Sequence, residues 1–262
     1  MLATNLAYTI SSSRKRKSAT PPKVLIIDLD VQFGNVATIL NKESKTNLLD
    51  LMKAGERLDS SMITAAAKPI TENLDLIAAT NSIVPLTALT PNFLERLISL
   101  TKPFYDYIIL DHPSVWSGST ATSTKLSDII IPVMKADVEH VTSARKFLEG
   151  LENLNINLSK TYFFINNVAK GLSYKDRIAN INSITQRPSF QFYDNPKIHQ
   201  QARDQGLLLH KINGSSSEQK QMAKFADLVL THLNSVSDAT ITLQGKSKPA
   251  PQLSLGLSLI HI

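Results

Sequence analysis

Short runs of apolar, largely β-branched residues recur along the chain at intervals that leave room for helices between them. Val24–Asp28 (VLIID), Leu74–Ala78 (LDLIA), Tyr107–Asp111 (YIILD), Ile129–Met134 (IIIPVM) and Thr161–Asn166 (TYFFIN) are the clearest, with Phe190–Tyr193 (FQFY) a weaker sixth. The runs are continuously apolar rather than alternating, which is the pattern of strands covered on both faces. Stretches between them carry a helical stripe instead. Pro91–Ser99 sets Phe93, Leu94, Leu97 and Ile98 on one side; Glu139–Leu154 does so with Val141, Ala144, Phe147, Leu148 and Leu151. Ser216–Leu233 opens on serines and carries Met222, Phe225, Ala226, Val229 and Leu230. Strand and helix in alternation, with crossovers of this length, predict an α/β protein: a mostly parallel sheet with helices on both faces.

Composition adds bounds to that fold. The chain has 262 residues, 42% hydrophobic and 19% charged, enough to bury a core. With no cysteine, disulfides, thiolate zinc sites, cysteine-held iron–sulfur clusters and a cysteine nucleophile are excluded. No apolar run approaches the ~18 residues of a membrane span, and the basic cluster follows the first apolar stretch, the reverse of a secretory signal. A cytoplasmic location is expected. The net charge of +6 is local: Arg14, Lys15, Arg16 and Lys17 account for four of it, leaving +2 elsewhere. That loop reads as solvated, and no specific nucleic-acid partner is predicted.

Two strands end in aspartate. VLIIDLD places Asp28 and Asp30 at a carboxyl end, and YDYIILD places Asp111 at another. Ligands of open parallel sheets bind beyond those ends, and a carboxylate there is where a nucleotide-bound magnesium ion is held. Each could equally cap the helix that follows. Asp111-His112-Pro113-Ser114 offers hydrolase chemistry only superficially, since no GxSxG elbow is present. The six histidines show no HExxH spacing. Trp116 reads as a loop anchor, Phe104 and Tyr105 as packing residues, and Asn166-Asn167 as possible turn residues at a strand end.

VLIIDLDVQFGNVATIL, a variable stretch and then YDYIILDHPS resemble the MinD/ParA group of deviant P-loop ATPases, and within it the CpaE/TadZ proteins of Flp (tad) pilus assembly. The resemblance runs from Leu2 to about Leu233, and DLDxQFG is its most specific part. It implies a P-loop NTPase-like three-layer α/β/α domain over residues 1–234. LATNLAYTI is similar to the helix after the phosphate loop. By resemblance, Asp111 is the Walker B aspartate serving magnesium, through water. Asp30 is the switch aspartate that positions the attacking water, Asp28 supports it, and Asn166 lies near the adenine. ATP and Mg2+ are the implied cofactors. A homodimer and pilus secretion and assembly proteins at the inner membrane are the implied partners, with recruitment to a cell pole or the inner-membrane face. The alternatives are a degenerate, non-hydrolysing scaffold and a ParA/MinD-type partitioning protein.

The chain departs from that pattern in four places. RKRKSATPP lengthens the loop after the first helix, and His112-Pro113-Ser114 replaces the usual DxPP. The glycine-rich phosphate loop and the central strand before it should precede LATNLA, where only Met1 stands. An N-terminal truncation explains this, and the expected sheet lacks its first central strand. Residues 235–256 read as a disordered tail. The closing LSLGLSLIHI has Leu at every second position, not the 3.6 spacing of a membrane helix. Residues 257–262 (LSLIHI) resemble the translation of a sequencing adapter.

Overall fold

A computed structural model describes residues 1–13, 20–42, 44–168, 172–193, 195–243 and 255–261. In chain order the elements are α1 (Leu2–Ser11), β1 (Val24–Asp28), α2 (Val36–Ile39), α3 (Leu48–Ala54), α4 (Ser60–Ala66), β2 (Lys68–Thr71) and β3 (Leu74–Ile77). There follow α5 (Pro91–Thr101), β4 (Tyr107–His112), α6 (Gly118–Leu126), β5 (Ile129–Lys135), α7 (Val138–Asn153) and β6 (Phe163–Val168). The last are α8 (Leu172–Thr185), β7 (Ser189–Tyr193), α9 (Pro196–Gln205), α10 (Ser216–Leu243) and β8 (Leu255–His261).

The eight strands form one sheet in the order β2-β3-β1-β4-β8-β5-β6-β7, parallel except for the edge strand β2. Alternation along each strand explains the continuous apolar runs. Val24 and Ile26 of β1 face the core formed with α1 and α10, while Leu25 and Ile27 face the one formed with α3, α4 and α5. On that second face, Ile130, Phe163 and Ile165 pack under α7 and α8. The result is the three-layer α/β/α arrangement expected.

The strand expected ahead of α1 has no counterpart among the described residues; β8 instead lies between β4 and β5, paired in parallel with both. Its alternate leucines, Leu257 and Leu259, are fully buried in the core under α1 and α10. Leucine at every second position thus serves as a strand period. The polar tail expected from Ser235 begins instead as helix, because α10 continues to Leu243; extending a helix already nucleated is cheap. Residues 244–254 lie outside the described residues, as do Arg14, Lys15, Arg16 and Lys17.

α10 is anchored by rings. Phe225 sits between Phe164 and Phe190, with centroids 4.9 Å from each, and Phe164 lies 5.5 Å from Phe192. All this clusters on the β6–β7 side, so truncating Phe225 leaves a cavity lined by aromatic faces. Phe225→Ala should cost about 3–5 kcal/mol, read as a lowered urea midpoint at unchanged m-value. A loss under about 1 kcal/mol would show that the ring cluster does not hold α10.

Candidate functional site

β1 and β4 are adjacent and in register, so that Asp28 stands opposite Asp111 at their carboxyl ends. The parallel ladder alone brings the two carboxylates to one level. Asp28 is almost fully buried. Its Oδ1 accepts the Asp30 N–H at 3.2 Å and its Oδ2 accepts the Val36 N–H at 3.2 Å, at the start of α2. Burial first, and then the charge of Asp111, push the Asp28 carboxyl up to about 7, against the two backbone N–H groups that favour its ionised form. Gly34 is required beside it. A Cβ there would lie 2.2 Å from the Ala79 Cβ, 2.5 Å from the Asp30 carbonyl oxygen and 2.9 Å from Asp28 Oδ1. This is the physical content of the QFG portion of the motif.

Asp30 is next in sequence but differently engaged. Its Oδ1 accepts the Gln32 and Phe33 N–H groups at 3.1 and 2.9 Å, closing the turn that carries Gly34. The start of α1 faces the pair. The Met1 amino group is lowered by burial, while Asp111 and then Asp28 act to raise it. A cleft of about 630 Å³ opens on the β3 side of Asp28, lined among others by Thr38, Asn41, Lys42, Thr80 and Asn81.

Asn166 lies elsewhere, at the end of β6, with β8 and β5 between it and Asp111. Three strand spacings put it roughly 14 Å away. It lines a pocket of about 350 Å³ with Asn5 of α1, His199 and Arg203 of α9, Phe164, Phe192 and the start of α1. Asn5 is held rigidly: its Nδ2 donates to the Met1 carbonyl at 2.9 Å and its Oδ1 accepts the Leu209 N–H at 2.9 Å. Asn5, His199 and Arg203 carry no motif of their own. They converge only because α1 and α9 meet over the end of β6. The four expected residues therefore divide into an acidic centre, Asp28 with Asp111 and the neighbouring Asp30, and a separate pocket holding Asn166. Trp116 packs edge-on to Phe147 of α7 at 5.5 Å, an anchor to a helix later than the one it precedes.

Among the described residues no three histidine or acidic side chains are grouped to enclose a metal ion. A buried carboxylate, Asp28, beside the half-buried Asp111 instead suits an ion that keeps waters and takes its other ligands from phosphate, as magnesium does. The donor set fits that role. The start of α1 faces the same centre, where the phosphate side of such a site would lie.

A mostly parallel three-layer sheet with carboxylates at strand ends, facing a helix start and a separate pocket, is the architecture of the nucleotide-binding α/β class. The chain belongs to the AAA domain family, whose pattern it matches over residues 2–162. Septum site-determining protein MinD of Thermotoga maritima is 21% identical over 146 residues, 55% of this chain and 52% of that protein. The chain thus aligns with about half the length of this curated relative. Among solved structures, a ParA family ATPase from Chlorobium tepidum superposes with a TM-score of 0.74 at 21% identity, covering 86% of this chain and 91% of that one. MinD of Pyrococcus horikoshii, solved as its Mg-ADP complex, gives 0.66 at 17% identity and 87% coverage of each. A plasmid partition protein from Borrelia burgdorferi gives 0.60 at 19% identity, covering 86% and 90%. At these identities the likeness is one of fold.

The electrostatics of Asp28 predict a pH dependence. Its carboxyl ionises near 7 when folded and near 3.8 when unfolded, so between those values the folded state holds the extra proton. Stability therefore falls as pH rises from about 4 to about 7 and is flat above. Asp28→Asn should remove that slope and raise stability at pH 8 by between about 1 and 4 kcal/mol. Thermal unfolding at pH 5 and pH 8 checks it; an unchanged slope in the variant would show that Asp28 is not the group responsible.

Proposed function

We propose that this chain is the core of a nucleotide-switch ATPase of the MinD/ParA type, which positions a cellular machine through nucleotide-dependent dimerisation. The observation that carries this reading is the in-register pair Asp28 and Asp111 beside the start of α1. Magnesium bound with ATP would supply charge neutralisation at the phosphates. Asp111 would hold the ion through water, and Asp28, otherwise only partly ionised near neutrality, would ionise more fully in its presence and take a share of that charge. Asp30, on the turn between β1 and α2, would orient the attacking water once its turn re-forms around substrate. Asn166, with Asn5 and His199, would supply polar edges for the base in the pocket beside β6.

A homodimer is supported by the surface around the site. Phe33, Ile83, Trp116 and Val138 are exposed, Phe33 by 72% and Val138 by 84%, and each follows the carboxyl end of a parallel strand. Large apolar side chains gathered on the ligand-bearing edge of a sheet mark an interaction surface. The DLDVQFG segment resembles the CpaE/TadZ proteins, which makes Flp pilus assembly the machine served. The fold neighbours favour partitioning as the broader role. A scaffold that binds nucleotide weakly is the second reading, favoured by one observation: His112-Pro113-Ser114 stands where the resemblance expects the second proline of DxPP.

Fluorescent-nucleotide titration with Mg2+ tests the site directly. Asp111→Asn should weaken Mg2+-dependent ATP binding at least about tenfold while leaving far-UV circular dichroism unchanged. Asp30→Ala should retain binding and lose hydrolysis by about 100-fold. Hydrolysis that survives Asp30→Ala would remove Asp30 from the reaction. Undetectable ATP binding by the folded, unsubstituted protein would leave the scaffold reading.

A further inference from the structure

The pocket beside β6 joins apolar walls to amide edges. Phe164 and Phe192 are buried there, and His199 stands edge-on to Phe192 with ring centroids 5.7 Å apart. Asn5 and Asn166 bring amide groups to it. A neutral base asks for no more than this. Arg203 lines the same pocket, and among the described residues lining it no other side chain is permanently charged. It stands four residues after His199 on α9, one turn on along the same face. Its Nη2 donates to Gln200 Oε1 at 2.8 Å, and Gln200 Nε2 donates in turn to the Asp204 carboxylate at 2.7 Å. The guanidinium is thus braced by a neutral amide rather than paired with a carboxylate, and its other N–H groups point to a further acceptor. α9 carries it on a firm base. Ala202 is fully buried with Leu209 and Ile212, and the helix ends at Gly206 in the left-handed region, at φ 61°.

We propose that Arg203 is a phosphate-positioning residue: its guanidinium grips the phosphate nearest the sugar of a nucleotide whose base occupies the Asn166 pocket. This rests on the nucleotide reading above and adds the ligand class, a nucleoside carrying at least one phosphate, and the residue that enforces it. The place of Arg203 supports it. Met1 and Arg203 line one pocket, and the charge of Arg203 reaches the Met1 amino group, as do those of Asp111 and Asp28 from the other side of the site. Arg203 therefore stands where a chain of phosphates leading from the base to the acidic centre would begin. Its chemistry supports it too. The acidic centre repels phosphate until a cation is bound, whereas a guanidinium is always charged and binds phosphate by two parallel N–H bonds. Arg203 can thus take hold of the first phosphate with no magnesium present, leaving Asp28 and Asp111 to the ion and the outer phosphates. A cation in the last turn also complements the dipole of α9, so the decisive comparison is between ligands rather than between stabilities.

Calorimetric titration of the whole chain with adenosine, AMP, ADP and ATP tests this. Arg203→Gln should weaken AMP, ADP and ATP by a similar factor, about tenfold or more, leave adenosine unchanged and keep the far-UV circular dichroism. Arg203→Lys, which keeps the charge and loses the fork, should fall between. The loss for AMP should be the same with and without Mg2+, and Asp111→Asn should leave AMP binding as it is. Adenosine weakened as much as AMP would make Arg203 a base or packing contact and overturn the proposal. So would phosphorylated ligands that bind Arg203→Gln as tightly as the unsubstituted chain. If the folded, unsubstituted chain binds none of the phosphorylated ligands, the nucleotide reading falls and this proposal with it. ATP bound through Mg2+ and Asp111 but indifferent to Arg203 overturns this proposal alone.

Discussion

Two carboxylates held side by side at the ends of neighbouring parallel strands set the terms for everything around them. The register that seats β1 against β4 puts Asp28 opposite Asp111, a strand spacing apart. Two like charges about 5 Å apart repel by about 3 kcal/mol at an effective dielectric constant of 20, and burial adds a desolvation penalty to the same ionised state. A proton relieves both, which is why Asp28 ionises only near 7. A divalent cation relieves both more fully. The remaining local features keep that choice open. Gly34 leaves the carboxylate unobstructed, the Val36 and Asp30 N–H groups keep its ionised form accessible, and the start of α1 faces it.

How much of this is legible in the sequence follows from how each element is buried. The parallel strands could be read because two-faced burial leaves an uninterrupted apolar run, and α5, α7 and α10 because each buries one stripe. α6 could not. Its buried residues are Ser119, Thr120, Thr122, Ser123 and Thr124, and hydroxyls such as those of Ser123 and Thr124 are satisfied by carbonyls of the same helix, at Thr120 and Ala121. A polar sequence thus makes a buried helix without an apolar stripe. β2, with Pro69 on the sheet edge and half-exposed side chains, lacks a strand signature for the opposite reason. Asp28 and Asp111 could be read from their place at strand ends. Asn5 and Arg203 could not, since they meet at Asn166 only through the crossing of α1 and α9.

β8 is the intermediate case. Its period of two is plain in LSLGLSLIHI, yet nothing local says where such a strand belongs. The partners are more than a hundred residues away: Ser127 for Ser258, Asp128 for Gly256. A strand whose pairing is wholly non-local is specified by the shape and edges of its slot rather than by its neighbours in sequence. That slot asks for little beyond apolar residues at alternate positions and a small residue where Ser258 meets Ser127.

The position of that slot ties it to the site. β8 runs out with Ile260 opposite His112 and His261 opposite Val133, so its end lies between Asp111 on one side and Lys135 and Asn166 on the other. The acidic centre and the Asn166 pocket are thus joined across the sheet through β8 and β5. A nucleotide reaching from one to the other would pass over the end of β8, where its phosphates would meet the start of α1. Seating a strand between β4 and β5 therefore both closes the core beneath Leu257 and Leu259 and fixes the spacing between the two halves of the candidate site. Sheet completion and ligand geometry are, in this fold, a single mechanical condition.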